Sequence, residues 1–103
     1  MEYDEEYYGL DSKVQLLITY YELKELEVLS AFLDSFKIYI KRNKNIPVEN
    51  KLRYSNLISY SRKIMKLEDA DTIQIKKLKS EIEQSTSVAK PWLLEKLDEL
   101  LIN

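Results

Sequence analysis

Apolar residues recur along this chain about once per helical turn, and the recurrence predicts five helices. In the first, over about 11–23, Val14, Leu17, Ile18 and Tyr21 follow at i, i+3, i+4 and i+7. Leu16, Tyr20 and Leu23 make a second apolar line on nearly the opposite side. A helix with two such lines sits between neighbours rather than on an outer surface. Asp11 or Ser12 is placed to cap it, with Gln15 three residues after Ser12 as in a capping box. Leu23-Lys24-Glu25-Leu26 reads as a tight turn without a glycine; the alternative is one helix continuing to Arg42.

The second helix, over 26–42, carries Leu29, Phe32, Leu33, Phe36 and Ile40 inward, with Val28 and Tyr39 at its edges. Lys41, Arg42 and Lys44 crowd its end, where cations favour the helix dipole. Pro47 suits the first turn of a third helix, over 47–67, because its missing N–H has no helical partner there. Tyr54, Leu57, Ile58, Ser61, Ile64 and Met65 form its inner face, and Lys51, Ser55, Ser59, Arg62 and Lys66 a polar edge. Asp71 and Gln74 are spaced as a cap and its partner for a fourth helix, over 71–85, with a narrow stripe of Ile75, Leu78 and Ile82. After the loop Ser85-Thr86-Ser87, Pro91 opens a fifth helix to 102. Trp92, Leu93, Leu94, Leu97, Leu100 and Leu101 give it dense apolar cover, with Lys96, Asp98 and Glu99 expected toward water. The pattern implies an all-α domain over 1–103, about five amphipathic helices of which the last caps the open end.

Composition agrees. A 103-residue chain is long enough to bury about 60–70% of its unfolded surface without staples. Apolar residues at 45% and charged residues at 33% fit neither a disordered tail nor a membrane protein. No apolar run nears the roughly 20 residues that span a bilayer. The acidic start, Met1-Glu2-Tyr3-Asp4-Glu5-Glu6, has no apolar stretch after it and is no secretion signal. Without cysteine the chain has no disulfides, which is compatible with the expected cytoplasmic location.

Several chemistries are excluded by residue type. With no His and no Cys, the common zinc sites and the nucleophile–histidine pairs cannot form within this chain. Gly9 is the only glycine, so no phosphate-cradling loop is present, and Asp69-Ala70-Asp71 lacks the glycine of a calcium loop. Carboxylate pairs such as Glu81 with Glu95, or the cluster Glu68, Asp69 and Asp71, fall in turns or on polar faces that keep them solvated. The sequence therefore assigns no catalytic residue, no metal and no cofactor.

Thr19-Tyr20-Tyr21-Glu22-Leu23-Lys24-Glu25-Leu26-Glu27, followed by Leu29, Leu33 and Phe36, resembles the turn of a tetratricopeptide repeat. Thr19 and Tyr20 match that family's small residue and tyrosine late in the first helix, and Leu16 and Leu17 stand near its packing leucine and small residue. Lys24 replaces the turn glycine, Leu26 the aromatic after it, Leu29 the alanine, and Lys13 the initial tryptophan. The resemblance covers about 30 residues and implies a degenerate repeat of helix pairs, a short α-solenoid in which each unit contacts only its neighbours. Lys90-Pro91-Trp92-Leu93-Leu94-Glu95-Lys96 is also similar to the end of uncharacterised bacterial helical proteins.

In such repeats the first helices line a groove for peptides, and the matched positions here are Asp11, Val14, Ile18, Tyr21 and Glu22. The competing reading is that a later helix covers this line as core. Charge supplies a second candidate. Residues 1–36 hold nine acids and two bases, residues 37–66 nine bases and one acid, and residues 67–103 eight acids and five bases. Lys51, Arg62 and Lys66 make a candidate basic patch, with Tyr39, Tyr54 or Tyr60 as stacking platforms. The overall net charge of −2 argues against a dedicated nucleic-acid binder. A third candidate is the acidic arm with Tyr3, Tyr7 and Tyr8, a docking strip for a basic partner, a frayed terminus, or the remnant of a preceding repeat. The expected function is non-enzymatic: a protein-interaction or scaffold segment of a helical-repeat protein. A nucleic-acid-associated role through 37–66, or self-association through the uncovered face of the first helix, is the alternative.

Overall fold

The computed structural model describes residues 2–67 and 69–102, with side chains from residue 9 onward. Among the described residues the chain forms five helices and no strand: α1 Glu2–Glu22, α2 Leu26–Arg42, α3 Val48–Met65, α4 Thr72–Glu83 and α5 Lys90–Ile102. The chain divides into two compact units, residues 1–38 and residues 39–103.

In the first unit, α1 begins at Glu2, well before the expected start near Asp11. Asp11 and Ser12 lie inside the helix, so the capping box does not form. Gly9 does not interrupt α1; a single helical glycine costs only about 1 kcal/mol. Leu10 and Leu17 form the buried line of α1, and Leu29, Leu33 and Phe36 that of α2. Tyr20 and Phe32 join the two helices edge to face, with ring centroids 5.7 Å apart, and Phe32 stands 5.7 Å from Phe36.

The turn at Leu23-Lys24-Glu25 resolves the choice between a break and a continuous helix. Lys24 adopts φ 60, the left-handed conformation that favours glycine. Its N–H donates to the Tyr21 carbonyl at 3.0 Å, and the Glu25 N–H to the Tyr20 carbonyl at 2.9 Å. These two bonds are the 5→2 and 6→1 bonds of a Schellman motif, which satisfy carbonyls orphaned at the helix end.

In the second unit, Asn43 turns the chain out of α2: its side chain accepts the Asn45 N–H at 3.0 Å, as in an Asx-turn. Pro47 stands at the N-cap of α3 rather than within its first turn, and the Lys51 N–H donates to its carbonyl. Leu57, Ile58, Tyr60, Ser61 and Ile64 are the buried residues of α3. The predicted cap of α4 forms, with Asp71 Oδ1 accepting the Gln74 N–H at 2.9 Å. Ile75, Leu78 and Ile82 are its buried stripe, as the spacing predicts.

The α4–α5 loop is tied down at both ends. Lys90 Nζ donates to the carbonyls of Glu83 and Ser85, at 2.7 and 2.9 Å, closing the C-terminus of α4. Asn56 donates to the Thr86 carbonyl at 2.6 Å, and the Val88 N–H to the Arg53 carbonyl at 3.4 Å, fastening the loop to α3. Thus α5 packs against both α4 and α3, burying Leu93 and Leu97. Lys96, expected in water, is buried with them. It falls on the same side of the helix as Leu93 and Leu100, and its methylene stem supplies apolar surface there. Its Nζ lies 2.9 Å from Glu99 and 3.4 Å from Glu95.

Candidate functional site

Two surfaces follow from how these helices spend their apolar and charged positions. The first is on α1. At about 100° per residue, its apolar side chains from Leu23 and Leu16 on one edge to Ile18 on the other cover roughly 220° of the helix. Among the described side chains of α1, only the middle of that arc, Leu10 and Leu17, is buried. Val14, Ile18 and Tyr21, three of the sequence-predicted groove residues, are half-buried on one edge. Asp11 and Glu22, the other two, are exposed and fall just beyond Ile18 on the helical wheel. On the opposite edge Leu16 is 42% and Leu23 66% exposed. The apolar surface left open is thus larger on the edge that the groove assignment omitted. The arm bearing Tyr3, Tyr7 and Tyr8 lies outside the described side chains.

The second surface is basic, but it is not the predicted patch. Lys51 and Lys66 are 15 positions apart, about 22 Å along a helix, so Lys51, Arg62 and Lys66 do not meet at one place. Lys51 is half-buried and its Nζ lies 3.4 Å from the Lys41 carbonyl; Arg62 is also half-buried. Tyr60 is buried and cannot serve as a stacking platform; Lys63 Nζ lies 5.6 Å from its ring centroid. What gathers instead are Lys63, Lys66 and Leu67 from the end of α3 with Gln74, Lys77, Leu78 and Glu81 from α4, around an open cleft of about 400 Å³. Lys63 is paired with Glu81 at 3.2 Å.

Lys77 was missed as a site residue because it lies outside the basic run 37–66 that supplies Lys63 and Lys66. A signal was present: 74, 77, 78 and 81 follow the i, i+3, i+4, i+7 spacing of one helical face. The carboxylates of Glu81 and Glu95 each engage a lysine, Lys63 and Lys96. Glu68 of the acidic cluster lies outside the described residues, while Asp71 serves as the α4 cap. Among the described residues no group of three or more acidic side chains is arranged to hold a metal ion, and no helix is long and apolar enough to cross a membrane. The chain matches no known protein family, no curated protein and no solved structure.

Proposed function

We propose that this chain is a non-enzymatic protein-interaction segment, built as a degenerate tetratricopeptide-like helical hairpin followed by a three-helix unit, which docks a peptide or helix along α1. The observation that carries the reading is the breadth of the α1 apolar arc against the narrowness of its buried line. Side chains of this size are worth about 1.5–3 kcal/mol each when fully buried, so a partner laid along either edge gains several kcal/mol. Asp11 and Glu22 at the rim would set its orientation by charge.

The hairpin turn supports the repeat reading. Lys24 is left-handed at the place of the family's turn glycine, and Leu17, Leu29, Leu33 and Phe36 are buried at matched positions. Leu16 departs from the pattern, because it stands exposed near the packing-leucine position.

A photo-crosslinking residue installed at Ile18 or Leu23 tests the proposal in cells. It is expected to trap a protein that the same residue at Lys76, exposed on α4, does not. Equal trapping at all three positions would remove the α1 site.

A further inference from the structure

We infer that the α3–α4 cleft is a second docking site, specific for an acidic segment of a partner protein that carries an apolar side chain between its carboxylates. The inference rests on reading the chain as an interaction module, but on a different surface from α1. Three lysines and one glutamate line the cleft. Glu81 is already spent on Lys63. Lys66 and Lys77 are exposed, and neither side chain has an ion-pair or hydrogen-bond partner among the described residues. Two cations without an ion-pair partner among the described residues therefore line one opening, and an anionic ligand lowers their mutual repulsion.

The floor decides what kind of anion fits. Half-buried Leu67 and buried Leu78 line the cleft together with its cations, so it offers apolar surface beside charge. A free phosphate leaves that surface unused, and the cleft is too open to enclose a small molecule as ligand pockets do. A nucleic acid would need faces on which bases stack, and among the described residues no aromatic side chain lines the cleft. Asp69 and Asp71, in the turn leading into α4, would also repel a continuous phosphate backbone. A peptide with separated carboxylates need not carry one beside that turn and can set an apolar side chain against Leu67 and Leu78. The cations come from the end of α3 and from α4, so a peptide laid across both elements meets them from two sides.

Fluorescence anisotropy of the full chain with labelled synthetic probes tests this. A short peptide of alternating glutamate and leucine is expected to bind at low salt, and its glutamine counterpart at least about tenfold more weakly. Lys66→Glu with Lys77→Glu should weaken the glutamate peptide by tenfold or more, while Lys44→Glu, the same charge change in the α2–α3 loop, should leave it unchanged. Circular dichroism establishes that the variants keep their helices. The inference is overturned if the glutamate peptide does not bind, if the double variant binds it as the parent does, or if a single-stranded oligonucleotide binds the cleft more tightly. Ile18→Asp on α1 should leave peptide binding intact, so failure of the α1 reading and failure of the cleft reading give different results.

Discussion

Lys96 is the residue where chemistry and position disagree most. A lysine 4% exposed is held with its ammonium 3.4 Å from Glu95 and 2.9 Å from Glu99. Removing these two carboxylates weakens the compensation of a buried cation, whereas replacing the lysine by a similarly shaped apolar residue removes the need for it. Glu95→Gln with Glu99→Gln is therefore expected to destabilise the chain by about 1–3 kcal/mol, less than a fully buried pair because both carboxylates are largely exposed. Lys96→Met should cost less than that double variant, or nothing. Urea unfolding checks the order of the midpoints at constant slope. A scan for charged residues reads Lys96 as solvated because residue type alone hides the apolar stem. The same blindness placed Tyr60 on the surface, although its ring is mostly hydrocarbon and it belongs with the α3 core.

At the scale of the elements, the weight falls on how α5 is held against α4. Lys79 and Asp98 approach to 2.8 Å, and this hydrogen bond and charge pairing raise the Lys79 pKa above its ordinary 10.5. A raised lysine pKa means the folded state holds the proton more tightly than the unfolded one. The resulting stability is complete below pH 10.5 and is lost as pH rises through the folded value. Stability measured from neutral to strongly alkaline pH should fall less steeply in Lys79→Met than in the parent. Identical alkaline slopes would show that the pair contributes nothing.

Helix existence was legible because each buried line repeats at helical spacing, as Ile75, Leu78 and Ile82 do. The α4 start was legible because Asp71 and Gln74 carry the cap in their side chains. The start of α1 was not, because Asp11 and Ser12 have cap chemistry and nothing in their own spacing reveals that the chain is already helical. The half-buried state of Val14, Ile18 and Tyr21 fits neither the open groove nor the fully covered core outright. One helical stripe has the same sequence spacing in both cases.

For the whole molecule, charge and apolar surface predict two kinds of association with different signatures. The net charge is −2 and the isoelectric point about 5.2, so repulsion between copies fades as pH approaches that value. Scattering that appears only near that pH is electrostatic in origin. Association through the edge of α1 should instead persist at pH 8 and disperse in Leu23→Asp, because it depends on apolar contact. Light scattering of parent and variant at both pH values separates the two. A monomeric parent at pH 8 at high concentration would rule out self-association by that edge.

The left-handed turn at Lys24 has a consequence for mirror-image chemistry. A D-lysine has its conformational minimum where the native chain holds φ at 60, so incorporation of D-Lys24 by peptide ligation should suit the hairpin better than the natural enantiomer. The expected gain is about 1 kcal/mol, with charge, side chain and composition unchanged. Glycine at the same position should give less, since it also loosens the unfolded chain.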